Sequence, residues 1–352
     1  MTKVLVGLSG GVDSAVSAFL LKKSGYEVCA VTMCLGLSSS EQTRPRCCGS
    51  AAIQDARKIA DKLGIAHYIW DFSRELEEKV IRKFISEYQK GRTPNPCVEC
   101  NKYLKFGKLL QGALNIGFDY LATGHYAKIE VKDGNYFLKR PRDKRKDQTY
   151  FLYSLRKEDL KFILFPLADY TKEEVRAIAR REGLPVFYKP QSQDICFIGE
   201  NYRQFLKQRI KVESGEIVDS RGRVLGEHRG LPFYTIGQRQ GLGISCKQPL
   251  YVIGFDLGKD RVIVGQKEEL KARGLLAEEV NVLKTDFEGP LYAQIRYRHT
   301  PAKCWVEFIP PDRMRVIFEQ EQYAVTPGQS VVIYKEDYLI AGGIITSSIR
   351  SL

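Results

Sequence analysis

The chain has 352 residues, of which 43% are apolar and 28% charged. That balance excludes a disordered chain, and no apolar run reaches the roughly 20 residues of a bilayer-spanning helix. Lysine and arginine outnumber aspartate and glutamate by 55 to 42, a net charge of +13 that favours polyanions such as nucleic acid as partners.

Residues 3–8 (KVLVGL) form a continuous apolar run followed by glycines, which reads as a buried strand entering a tight turn. The start MTKVLVGLS carries no basic-then-apolar leader, so a soluble, cytoplasmic protein is expected. AVSAFLLKKSG predicts a helix packed on the sheet and ended by Gly25. Residues 28–35 predict a second buried strand, 51–64 a helix, HYIWDF a strand and 74–90 another helix. A further strand runs through 118–126 and ends at Gly124 and His125. Apolar strands alternating with helices belong to a parallel sheet covered on both faces, whose ligands sit beyond the C-terminal strand ends. Residues 128–140 alternate as a hairpin turning at Asp133-Gly134. Thr171 with Glu174 has the spacing of a capping box, opening a helix that ends near Gly183. Beyond about residue 210 short β-like alternations broken by glycines take over, and they dominate from 275 to 352. The expected fold class is α/β: a parallel-sheet nucleotide-binding domain over 1–208, a small β-rich central domain over 209–273, and a C-terminal β-barrel over 274–352.

The stretch SGGVDS, residues 9–14, is the first with chemistry in it. Gly10 and Gly11 let the backbone approach a ligand and turn its N–H groups inward. Ser9 and Ser14 add hydroxyls, and the following helix presents its positive end. The loop holds no lysine, unlike that of the common nucleotide triphosphatases, and the three-glycine dinucleotide pattern is absent. Asp13 suits a polyphosphate where it holds Mg²⁺ or the loop's own amides. A glycine-rich turn without a ligand is the plain alternative. The stretch resembles the signature of the ATP pyrophosphatases. That resemblance implies ATP cleaved between its α and β phosphates, with Gly7, Leu8, Ser9, Gly10, Gly11, Val12, Asp13 and Ser14 around the departing pyrophosphate. Met33 and Gly124 then match adenosine contacts.

Nine cysteines, an odd count in a long chain, do not make a secreted disulfide scaffold. Cys29 and Cys34 read as packed core thiols, Cys246 and Cys304 carry no spacing signal, and Cys47 and Cys48 receive no chemistry. TPNPCVECN, residues 93–101, is different. Pro94 and Pro96 stiffen it and keep it out of helix interiors and central strands. Asn101 is expected to cap a helix through KYLKFGKLLQGAL, which puts Cys100 at a helix N-terminus beside Lys102 and Lys105, a setting that lowers a thiol pKa. By itself the CxxC leaves zinc, a redox pair and coincidence open; a four-ligand zinc site would have to recruit Cys47-Cys48. Cys196 lies in a second loop, KPQSQDICFIG.

Five stretches in this order, GLSGGVDS, GRTPNPCVECNKYLKF, ATGHY, KDQTYFL and SQDICFIG, resemble the tRNA-specific 2-thiouridylase family. The C-terminal GLPFYTIGQRQGLG, YAQIRYRHTPA and VTPGQSVVIY resemble it too, so the likeness spans nearly the whole chain. The resemblance implies that ATP, with Mg²⁺, adenylates the 2-oxygen of the wobble uridine (tRNA position 34) of tRNAs for lysine, glutamate and glutamine, and that sulfur displaces AMP. Cys100 then carries a persulfide supplied by a cysteine desulfurase or sulfur-relay protein. Cys196 assists release, ending in a Cys100–Cys196 disulfide that must be reduced. Many relatives have aspartate in place of Cys97. Cys97, Cys100 and Cys196 are therefore also candidate ligands of a three-cysteine [4Fe–4S] cluster, the alternative route. The same resemblance places Asn95, Pro96 and Cys97 at the extruded base. It places His125, Lys146, Asp147, Gln148, Arg296, Tyr297, Arg298 and Gln329 at the tRNA. Six of the eight residues 139–146 are basic, a candidate phosphate track or a solvated charged face. A small-molecule ATP pyrophosphatase would leave TPNPCVECN and the basic run unused, and a non-catalytic RNA-binding protein would leave SGGVDS unused.

Overall fold

A computed structural model describes residues 1–36, 50–189, 195–198, 202–285 and 288–350. The chain divides into two compact units, one of residues 1–80, 97–200 and 337–339, the other of 81–96, 201–336 and 340–352.

In the first unit, strand β1 (Lys3–Gly7) lies at the middle of a sheet between β2 (Glu27–Cys34) and β4 (Tyr120–Ala122). β3 (His67–Asp71) flanks β2, and all of these neighbours run parallel. The hairpin of β5 (Lys128–Lys132) and β6 (Asn135–Lys139) turns at Asp133-Gly134, both with positive φ, as the sequence predicts. β7 (Ile163–Leu164) pairs parallel to β4 and closes the order β3-β2-β1-β4-β7. The strand expected over 118–126 keeps only three residues, because the chain leaves the sheet before Gly124 to form the site. Helices α1 (Val12–Lys23) and α2 (Ser50–Leu63) and the helix Lys172–Arg181 cover the sheet. Val4, Val6, Ala15, Val16, Ile59, Val175 and Ala179 form one buried cluster among them. The last helix opens with the predicted capping box: Thr171 accepts from the Glu174 amide, and Glu174 accepts from the Thr171 amide.

In the second unit, β8 (Gly215–Asp219), β9 (Val224–His228), β10 (Tyr251–Asp256) and β11 (Arg261–Gly265) form a small sheet in the order β10-β11-β8-β9. Six further strands follow: β12 (Lys271–Val282), β13 (Leu291–Gln294), β14 (Ala302–Ile309), β15 (Arg313–Tyr323), β16 (Ser330–Lys335) and β17 (Tyr338–Ile349). They pair in the order β12-β15-β14-β13-β16-β17, and β17 returns to β12, which closes the barrel and removes its edges. Alternation along β15 buries Met314, Val316 and Phe318 and turns Arg313 and Arg315 outward, so the sequence period of two builds the barrel core directly.

Candidate nucleotide and sulfur site

The loop of residues 8–11 leaves β1 at its C-terminal end, between β2 on one side and β4 on the other. This is the point where chain connections diverge and ligands collect. Gly10 has φ +73 and packs so closely on α2 that an added Cβ would sit 2.6 Å from the Ala52 carbonyl. Glycine is required there on both counts. Ser14 Oγ donates to the Gly11 carbonyl (3.0 Å) and accepts from the Ser9 amide (3.2 Å), so the loop is held in a closed ring. Met33 stands near the C-terminal end of β2 and Gly124 just past β4. A Cβ on Gly124 would lie 2.9 Å from both the Asp13 carbonyl carbon and the Ser14 nitrogen, so this strand end abuts the loop backbone. The structure thus brings the predicted nucleotide residues to one end of one sheet.

Asp13 is bound in a way the sequence does not announce. Its Oδ1 accepts from Lys172 Nζ (2.5 Å) and from the Tyr126 hydroxyl (2.9 Å). Burial, and then the neighbouring carboxylate, hold the Tyr126 phenol well above its ordinary pKa. The Tyr126 backbone is in turn bracketed by Gln148, which accepts from its amide (2.8 Å) and donates its own amide to its carbonyl (2.9 Å). Lys172 and Tyr126 are site residues that the motif reading misses. The one available signal is a lysine at the first position of a helix, where the macrodipole disfavours it.

The sulfur residues occupy the same unit. The helix begins at Pro96, not after Asn101, consistent with proline's preference for a first helical position. Cys97 and Cys100 therefore lie one turn apart inside a helical segment, and Asn101 is no cap: its Nδ2 donates to the Phe151 carbonyl (3.0 Å). The expected low-pKa thiol is corrected accordingly. Burial pushes Cys100 up to about 12 and Cys97 to about 11, although Cys97 still meets solvent. Lys105 opposes the rise at both, and Cys196 is near enough that a charge on it adds to the rise at both. Cys100 starts a wide, π-type stretch, Cys100–Leu109, which brings Lys105, five residues on, round to the thiol's side. Lys105 Nζ also lies 3.4 Å from His125 Nε2, whose Nδ1 pairs with Thr123 Oγ1 (2.7 Å). Desolvation and Lys105 hold His125 well below its ordinary pKa, so the ring is neutral. Nε2 accepts from the ammonium and Nδ1–H donates to the threonine.

Two expectations find no support in this geometry. Among the described residues no group of three His, Cys, Asp or Glu side chains is placed to hold a metal ion, so the [4Fe–4S] alternative for Cys97, Cys100 and Cys196 gains no support. All described cysteines are free thiols, so the Cys100–Cys196 disulfide is not formed here. Cys47, Cys48 and residues 190–194 of the Cys196 loop lie outside the described residues.

Of the residues expected at RNA, His125 is buried against Phe106 and Phe165. Asp147 is only 8% exposed and is bound to Arg140 (2.7 Å) and Thr149. The basic run is laced with carboxylates: Lys139 pairs with Glu130, Arg142 with Glu174, Lys144 with Asp337 and Arg145 with Glu173. The last three pairs are exposed, and exposed pairs of this kind are worth about 0–1 kcal/mol, so they would yield to a competing anion at small cost. In the second unit, Arg296 donates to the carbonyls of Tyr323 and Ala324, and Arg298 is exposed. Gln329 Nε2 donates to the Thr93 carbonyl (2.8 Å) and the Thr93 amide to Pro327 (2.9 Å). These bonds fasten the Asn95-Pro96 stretch to the barrel loop.

A glycine loop at the divergence point of a parallel sheet, with a helix N-terminus behind it, defines an ATP-handling α/β enzyme class, here with a thiol pair in the same unit. Family models agree on the layout: one described as a tRNA methyl transferase HUP domain matches residues 2–200, a tRNA methyl transferase PRC-barrel domain 203–266, and an aminomethyltransferase beta-barrel domain 272–345. The tRNA-specific 2-thiouridylase MnmA 1 of Syntrophus aciditrophicus is 54% identical over 99% of this chain and 94% of its own length. The tRNA-specific 2-thiouridylases of Carboxydothermus hydrogenoformans (48%, covering 97% of each chain) and Clostridium perfringens (46%, covering 98% of each) match likewise. The chain belongs to the tRNA-specific 2-thiouridylase family.

Proposed function

We propose that this enzyme replaces the 2-oxygen of the wobble uridine of tRNAs for lysine, glutamate and glutamine by sulfur, at the expense of ATP. The observation that carries the reading is one unit holding both the phosphate loop and two thiols, Cys100 and Cys196, distant in sequence yet close enough to feel each other's charge. Uridine O2 attacks the α-phosphorus, and pyrophosphate leaves into the loop of residues 7–14. Met33 and Gly124 border the adenosine. The terminal sulfur of a Cys100 persulfide then attacks C2, the C2–O bond breaks, and AMP carries the oxygen away. Cys196 Sγ attacks Cys100 Sγ, the bond to the transferred sulfur breaks, and 2-thiouridine is released. The resulting Cys100–Cys196 disulfide returns to two thiols through an external thiol reductant, and a cysteine desulfurase or sulfur-relay protein reloads the persulfide.

Asp13 would supply a carboxylate of the kind that, singly or in pairs, holds a Mg²⁺-bound polyphosphate, and Mg²⁺ would neutralise charge on the leaving pyrophosphate. Lys105 offsets the burial of Cys100 when the sulfur carries negative charge. Asn95, Pro96 and Cys97 cradle the extruded base, steadied by Gln329 through Thr93. His125, Lys146, Asp147 and Gln148 of the first unit and Arg296, Tyr297 and Arg298 of the second are the tRNA-contacting residues, in a chain divided as 1–208, 209–273 and 274–352. Its tRNA substrate places the enzyme in the cytoplasm. The test is purified protein given ATP, a sulfur donor and tRNA. AMP and pyrophosphate should form with cognate tRNA only, and Cys100→Ser should bind tRNA yet yield no thiolated product. Thiolation retained in that variant would overturn the assignment.

A further inference from the structure

We infer that Lys172 is the phosphate-binding cation that the SGGVDS loop itself lacks. The inference rests on reading that loop as the ATP polyphosphate cradle and adds a residue to it. The loop has no basic side chain, yet an ammonium reaches it from a helix 159 positions along the chain. The Lys172 side chain is only 8% exposed, and among the described residues the carboxylate it pairs with is Asp13, itself 26% exposed at the loop's open side. Lys172 is the first residue of the helix Lys172–Arg181, and Val12 is the first residue of α1. The two helices pack together through Val12, Ala15, Val175 and Ala179, so their positive ends meet at the Asp13–Lys172 pair.

A buried cation at a helix N-terminus is an unfavourable placement. Asp13 is the carboxylate that meets the ammonium itself, while Asp143 and Glu174 are engaged by backbone amides of the helix start. A di- or triphosphate in the loop would be a second anionic partner for that ammonium. The site is also held in position. The Lys172 amide donates to buried Asp143 (3.0 Å), and the capping box fixes the helix start, so the ammonium is aimed by the backbone and not by a loose stem. Tyr126 donates to the same Asp13 oxygen, Oδ1, which anchors that carboxylate independently of the ammonium.

The experiment measures binding of inorganic pyrophosphate, ATP and AMP to the full chain without tRNA or sulfur donor. The variants are K172Q, which keeps a donor for Asp13, and D13N/K172M, which removes both partners and leaves no buried unpaired charge. Thermal midpoints are recorded alongside. Loss of one charge-assisted hydrogen bond predicts pyrophosphate and ATP affinity about tenfold or more weaker in both, with AMP within about twofold of the parent. K172R should recover most of the loss. Unchanged pyrophosphate binding in K172Q, or equal loss of pyrophosphate and AMP, would overturn the assignment and make Lys172 a purely architectural partner of Asp13. A parent protein that binds neither ATP nor pyrophosphate would instead refute the ATP reading itself.

Discussion

Replacing Gly124 by alanine puts a methyl group against main chain that has no side chain to yield. The nearest atoms are the Asp13 carbonyl carbon and the Ser14 nitrogen, both 2.9 Å away, with Asp13 Cβ at 3.2 Å. Relief to ordinary contact requires the strand end and the first turn of α1 to part by about 0.5 Å. Over-packing of this kind costs about 1–3 kcal/mol, which lowers the thermal midpoint by roughly 2–12 °C for a unit of this size. The retreat also carries the loop amides away from the phosphates. An amide moved by about 0.5 Å from ideal distance is at the edge of hydrogen-bonding range, so ATP affinity should fall about tenfold. Calorimetric titration with a non-hydrolysable ATP analogue and a thermal melt measure the two effects together. A G124A protein with parental melting and parental affinity would show that this strand end does not support the loop, and the account of the site would fail with it.

Three further outcomes are expected. The thiols of Cys97 and Cys100 are raised above their ordinary value of 9.0, so the folded state holds protons that the unfolded state releases. Stability should therefore fall as pH rises from about 9 toward 12, and C100A should flatten that decline in urea melts at graded pH. Gln329→Ala removes the bond to the Thr93 carbonyl, at a cost of about 1 kcal/mol, and should speed amide exchange at Thr93 in hydrogen-exchange mass spectrometry; an unchanged rate would exclude the fastening role. Gly107→Ala would place a Cβ 2.8 Å from the Lys102 carbonyl, so the wide turn must distort at about 1–3 kcal/mol; equal urea midpoints for parent and variant would contradict this.

Strands β1, β2 and β4 were legible because they are short apolar runs with a glycine at or just past the end, and the capping box at Thr171 and Glu174 because it depends on spacing alone; the two-residue β7 was not read. The loop of residues 9–14 was legible for the same reason, since closing a ring over a phosphate needs neighbours in sequence. The start of the cysteine helix was misread at Asn101, although Pro96 was the better signal. Lys172 and Tyr126 escaped because their meeting with Asp13 depends on how one helix packs on another, which no local pattern records. The pairing of the basic run escaped likewise: Glu130, Glu173, Glu174 and Asp337 are brought to it from separate segments. Burial misled the thiol reading most. Nearby lysines are visible in the sequence, whereas the protein mass that desolvates Cys100 is not.

The under-wound coil that begins at Cys100 has a further consequence. Five residues of ordinary helix turn a side chain through an angle that leaves it about 140° away from its starting direction. Rewound to that tighter pitch, the segment would keep every residue and every charge, yet Lys105 would look away from the sulfur it now accompanies. The gauge of one stretch of backbone, rather than the identity of any side chain, decides whether this ammonium has a sulfur to serve.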